Sequence, residues 1–300
     1  MSLRIGTRAS ALALAQARLV ADALGEGEIV EVSTRGDRGA AAGDKSRWVG
    51  ELEAALAGGE VDVAVHSAKD VPGELGAGLE ISAVPARADA RDAVCGAAGL
   101  DALGAGARVG TSSLRRRALL LADRPDLEVV EMRGNVDTRL GKLADGDYDA
   151  IVLARAGLER LCRTGEAGDT LPAETFVPAP GQGALALETR AGDDATRAAL
   201  SVLDDPWAHA CLRAERALCA AIGASCHTPV GAWASIEGET MALTAFAGHP
   251  DGSAWARDRL EGPAGDPDAL GQAVGARLLG AGAAEILAHA EARAAGAETR

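Results

Sequence analysis

At 300 residues and 48% hydrophobic content the chain is long enough for two or three cores, and with only 2% aromatic residues Ala, Leu and Val must fill them. A net charge of −14 and a pI near 4.8 argue against nucleic acid as a partner, because phosphate binding asks for a basic surface. No long uncharged apolar run occurs, which argues against a membrane span, and Arg4 and Arg8 interrupt any signal-peptide core, so a cytoplasmic protein is expected.

The first predicted strand carries Leu3-Arg4-Ile5-Gly6-Thr7, and Ser10 stands where the N-cap of the following helix belongs. A strand at 28–33, a helix at 49–57 and a strand at 61–66 follow. The same order returns in the second third of the chain. A strand ends at Gly110-Thr111, Ser113 caps a helix, and a strand at 127–132, a helix at 138–143 and a strand at 150–154 complete the unit. Strand and helix alternating twice predicts two similar α/β lobes with parallel strands, whose ligands bind beyond the carboxyl ends of the strands. The segment 175–183 is rich in Pro and Gly and reads as a crossover, and 184–203 reads as a strand and helix returning to the first lobe. Beyond residue 204 the pattern changes to a helix at 207–222, a loop with Cys226, strands at 232–237 and 242–247, and a final helix at 266–294. The expected division is therefore 1–87 with 184–203, then 88–183, then a small α+β domain at 204–300.

Polar residues gather at the predicted strand ends. Arg8, Arg115, Arg116, Arg133 and Arg139 fall at strand ends or helix starts, where backbone N–H groups already favour anions and a guanidinium can grip a carboxylate in two parallel bonds. Such a cleft in an acidic protein suits a multiply charged anion. His66-Ser67-Ala68-Lys69-Asp70 leaves a strand beside it, and a carboxylate there can move a proton and steady a cation, although the residues alone fit a plain Lys–Asp turn equally well. The five cysteines are Cys95, Cys162, Cys211, Cys219 and Cys226. They form no CxxC pair and are odd in number, which points away from a disulfide framework or a zinc site. The histidines show no metal-ligand spacing, and no metal is expected. Cys226, in a Gly/Ser/Pro loop beside His227, reads as accessible rather than core.

Taken in order, Thr34-Arg35-Gly36-Asp37, Ala64-Val65-His66-Ser67-Ala68-Lys69-Asp70-Val71-Pro72, Gly110-Thr111-Ser112-Ser113-Leu114-Arg115-Arg116, Arg133-Gly134-Asn135-Val136-Asp137-Thr138-Arg139-Leu140 and Ala179-Pro180-Gly181-Gln182-Gly183-Ala184 resemble the hydroxymethylbilane synthase (porphobilinogen deaminase) family. The similarity runs from Leu3 to about residue 290. The resemblance implies an α/β fold of two lobes like type II periplasmic binding proteins around a cleft, plus the small α+β C-terminal domain. It implies a dipyrromethane cofactor joined by a thioether to Cys226, on which four porphobilinogen units are added head to tail, each losing ammonia, before hydrolysis releases hydroxymethylbilane. It implies Asp70 as the acid–base group. It further implies Ser67, Lys69, Asp70, Thr111, Ser113, Arg115, Arg116, Arg133, Arg139 and Gln182 as cofactor contacts, and Arg8, Gln16, Arg133 and Arg139 as substrate contacts. The small-molecule substrate porphobilinogen is the expected partner of a monomer.

The chain departs from the family pattern where Ala11 replaces a common proline, and in a shortened stretch at 38–50 with Trp48 for phenylalanine and Gly50 for lysine. That stretch reads as a cleft lid. Two rivals compete with the enzyme reading. A non-enzymatic two-lobed protein for small anions fits the lobes but not Asp70 or the Cys226 domain. A cysteine-dependent transferase or hydrolase predicts acylation of Cys226 and no bound pyrrole.

Overall fold

A computed structural model describes residues 2–32, 46–224 and 228–297. The chain opens with β1 (Leu3–Thr7), α1 (Ala11–Leu24), β2 (Gly27–Glu31), α2 (Ser46–Ala57), β3 (Val63–Ser67) and β4 (Leu79–Ala83). It crosses to a second lobe with β5 (Asp92–Cys95), β6 (Arg108–Gly110), α3 (Leu114–Asp123), β7 (Glu128–Val130), α4 (Val136–Ala144), β8 (Ala150–Ala154), α5 (Arg155–Arg160) and β9 (Ala167–Thr170). It then returns through β10 (Leu185–Arg190) and α6 (Asp194–Leu200). The last part holds α7 (Pro206–Ala221), β11 (Val230–Glu237), β12 (Thr240–Gly248), β13 (Trp255–Pro263), α8 (Pro267–Gly280) and α9 (Ala283–Ala297).

The two lobe sheets have matching strand orders, β2-β1-β3-β10-β4 and β7-β6-β8-β5-β9. In each, the first three strands run parallel and the fourth runs antiparallel. That fourth strand is the one the chain enters on crossing from the other lobe: β5 on the way out, β10 on the way back. This is the two-lobed α/β architecture expected from the repeat. The repeat had shown three strands per lobe; the fourth and fifth come from the crossings and from short strands with no strong alternation. The expected caps are present, with Ser10 Oγ accepting from Ala13 N and Ser113 Oγ from Arg116 N, both at 3.3 Å.

Apolar side chains from β1, β3 and β10 pack under α1, and Leu52, Ala55 and Leu56 of α2 cover the opposite face near Ala64. Val109, Leu119, Leu120 and Val152 fill the second lobe. In the last domain α7 and α8 lie on the antiparallel sheet β11-β12-β13. This domain touches both lobes, through Ala208 and Leu212 of α7 on the first and Phe246 of β12 in the core of the second. Two expectations are corrected here. A third strand, β13, was not foreseen, because the charged run Arg257-Asp258-Arg259 and then Glu261 break up its few apolar residues, and it forms the edge of its sheet beside β12. The single helix expected at 266–294 is two, broken at Gly282, whose φ of 91° is left-handed. Among the described residues no helix is long and apolar enough to cross a membrane.

Candidate active site

The carboxyl ends of β1 and β3 meet the start of α1 in a hollow lined by Arg8, Ser10, Leu12, Ala13, Gln16, Val49, Val65, His66, Ser67 and Asp70. β3 stops at Ser67, and one 3-10 turn, Ala68–Asp70, carries Asp70 to the rim. Gln16, buried on α1, donates from Nε2 to Ser67 Oγ at 2.7 Å. Arg8, Gln16, Ser67 and Asp70 are thus brought together in one hollow.

The second lobe supplies a cationic half. Arg115 and Arg116, in the first turn of α3, are buried and share one carboxylate. Arg115 donates to Asp92 Oδ2 at 2.8 Å and Arg116 to Oδ1 at 2.7 Å. They also donate to the carbonyls of Val177 and Val152. Burial works against the Asp92 charge, but the two guanidiniums and Gln182 hold its pKa down at about 2. Arg139 is different. Its partners among the described residues are Gly134 O and Ser112 Oγ, and no carboxylate. Burial, with the nearby charge of Arg116, pushes its pKa down to about 10. A half-buried guanidinium with no carboxylate partner among the described residues is a place where an anionic ligand would be welcome. Arg133 stands apart, largely exposed and paired with Glu131.

Gln182 joins the halves. Its Oε1 accepts from Lys69 Nζ at 3.3 Å, and its Nε2 donates to Ala90 O at 2.7 Å and Asp92 Oδ1 at 2.8 Å. Gly181 and Gly183 allow this approach. Both have positive φ, and an added Cβ would lie 2.9 Å from the backbone of Ala68 and Lys69 at Gly181, and 2.4 Å from Ala88 O at Gly183. Ser67, Thr111 and Ser113 each accept a bond within the protein, from Gln16, Ser113 N and Arg116 N respectively. Among the described residues none of the three hydroxyls donates, which leaves each proton for an outside acceptor. Free hydroxyl donors, the uncompensated Arg139 and a carboxyl at the rim together fit a polycarboxylate pyrrole cofactor.

Several site features escaped the sequence reading. Asp92 looks like one more surface acid beside Arg91. Arg160 gave no motif signal, yet it donates to Gly183 O at the crossover, and burial pushes its pKa down to about 10. Glu215 of α7 accepts from Arg87, Gly181 N and Ala234 N, which ties the last domain to both crossovers. Cys226, and with it Thr34, Arg35 and most of the 38–50 stretch, lies outside the described residues. Of the described cysteines, burial pushes Cys95 up to about 11 and Cys211 to about 12, which makes them inert.

A duplicated α/β cleft with an acid on one lobe and cations on the other, plus a third domain that clasps both, defines a two-lobed anion-handling protein. Residues 3–198 match "Porphobilinogen deaminase, dipyromethane cofactor binding domain" and residues 209–280 match "Porphobilinogen deaminase, C-terminal domain". Porphobilinogen deaminase of Roseiflexus castenholzii is 47% identical over 96% of this chain and 99% of its own length. That of Thermus thermophilus is 46% identical over 95% and 97%. Among solved structures, the methionine binding protein MetQ superposes with a TM-score of 0.40 at 16% identity, over 65% of this chain and 84% of that one. The chain belongs to the porphobilinogen deaminase family. It is a transferase of porphyrin biosynthesis that carries a dipyrromethane cofactor and assembles hydroxymethylbilane from porphobilinogen. The non-enzymatic binding-protein reading is not favoured.

Proposed function

We propose that the stepwise condensation runs at Asp70, with Arg8 and Gln16 receiving the incoming porphobilinogen. The observation that carries this reading is that Asp70 shares one hollow with Arg8, Gln16 and Ser67. The aminomethyl group must leave as ammonia, which leaves a cation on the substrate. A carboxyl at the rim donates a proton to the departing nitrogen. As carboxylate it then steadies the cation and takes the ring proton after the new carbon–carbon bond forms. When bound, the dipyrromethane supplies the pyrrole carbon that attacks this substrate, and Cys226 is its thioether anchor. Ser67, Thr111 and Ser113 would hold its carboxylates with their hydroxyl protons, and Lys69 and Arg139 would do so with their charges. Arg115 and Arg116 contribute the N–H groups that Asp92 leaves over, and Gln182 keeps Lys69 in line. Arg133 and Arg139 meet the side-chain carboxylates of substrate and lengthening product.

The proposed domains are 1–87 with 184–203, 88–183 and 204–300, supported by the membership of β10 in the first sheet and of β5 in the second. We further read the enzyme as a cytoplasmic monomer, in keeping with four free cysteines among the described residues. Asp70→Asn tests the central assignment. Turnover should fall by at least about 100-fold while the cofactor mass and thermal midpoint stay native. Near-native turnover would remove Asp70 from the mechanism.

A further inference from the structure

His66, the penultimate residue of β3, is buried with its Nε2 2.9 Å from Glu188 Oε2, at side-chain exposures of 4% and 0%. Glu188 stands on β10 opposite Ala64, two residues from His66, so the pair shares one sheet face. The other oxygen, Oε1, has no hydrogen-bond partner among the described residues. A buried polar pair with a bare oxygen is commonly less stable than an apolar pair of similar volume. Stability therefore does not account for it, but location does. His66 lines the hollow beside Asp70 and directly precedes Ser67, from which the Asp70 turn departs. That turn is held at its start by Ala68 N donating to Ala184 O at 3.0 Å. Beyond its end, Arg216 of α7 donates to Gly73 O at 2.8 Å. Arg216 is also near enough to Glu188 for that carboxylate to favour its charge against burial.

We propose that His66 and Glu188 form a positioning pair for Asp70, fixing the end of β3 so that the carboxyl one turn further on meets the substrate in a single orientation. The inference rests on the reading of Asp70 given above. A shift of about 1 Å in a reacting group is enough to slow a step about 100-fold, so a pair this close to the turn acts on rate rather than on binding.

The test compares three variants of the cofactor-loaded enzyme. The double variant His66→Leu/Glu188→Leu replaces the pair by apolar volume and should fold with an unchanged or higher thermal midpoint and a full complement of cofactor mass. Its kcat should fall about tenfold or more, with KM for porphobilinogen within about twofold. Glu188→Gln, which keeps shape and an acceptor oxygen, should hold kcat within about threefold of native. Native kcat in the double variant overturns the proposal. So does a loss matched by lower loading or midpoint, or a Gln variant as slow as the double. Asp70→Asn assayed alongside separates the two claims. If it turns over normally, the Asp70 reading fails. If it is inactive while the double variant is native, only the positioning pair fails.

Discussion

Asp92 sets the electrostatics of the two arginines that the proposed function gives to the cofactor. Its carboxyl lies between two buried guanidiniums and the amide of Gln182. The folded pKa of about 2 is below the ordinary 3.8, so its stabilising contribution is complete above about pH 4 and is lost as pH falls toward 2. Asp92→Asn should therefore be less stable than the native protein at neutral pH and show a flatter loss of stability through that acid window in urea titrations. A parallel curve would contradict the charge assignment. The two second-lobe arginines predict opposite signatures. Arg116→Leu leaves buried Asp92 with one cation fewer and should cost ~3 kcal/mol in urea unfolding as well as weakening cofactor retention. Arg139→Leu removes a cation with no carboxylate partner among the described residues, so the fold should lose under about 1 kcal/mol while turnover falls. If both variants unfold alike, Arg139 is structural.

The crossovers decide how the lobes meet. Gly183 sits at φ 88° with Ala88 O where its Cβ would be. Gly183→Ala should lower the thermal midpoint by several degrees, and a native midpoint would show that the crossover can move aside. These same segments mark the limit of what the sequence reveals. The three-strand units were legible because Gly-Thr strand ends and serine caps repeat locally. β10 was read as the returning strand, but β5 and the antiparallel direction of both were not legible, since each owes its sheet position to a neighbour far along the chain. The polar residues of the hollow were legible for a similar reason: they follow strand ends in short motifs. Asp92, Glu188 and Arg160 were not, because each acts through a partner more than 20 residues away, as the bonds to Arg115, His66 and Gly183 show. The expectation that Arg115 and Arg116 reach outward met a counter-ion that spacing could not reveal.

At the scale of the whole molecule, the segment that carries Asp70 is held from two sides, with Gln182 bonded to Lys69 and Arg216 of α7 to Gly73 O. The first lobe carries Asp70, the second presents cations, and α7 of the third ties down Gly73 through Arg216 and both crossovers through Glu215. On the proposed function, a growing polycarboxylate tethered at Cys226 lies between Asp70, assigned to activate each new unit, and the arginines assigned to balance its charge. The whole account depends on a pyrrole primer held by Cys226. Intact mass of the purified protein beside Cys226→Ala tests this most directly, with porphobilinogen added where the host supplies too little. The account predicts a mass excess of two linked pyrrole units in the native chain and none in the variant. A native chain that stays at its bare polypeptide mass after incubation with porphobilinogen, or a variant that still carries the excess, would contradict it.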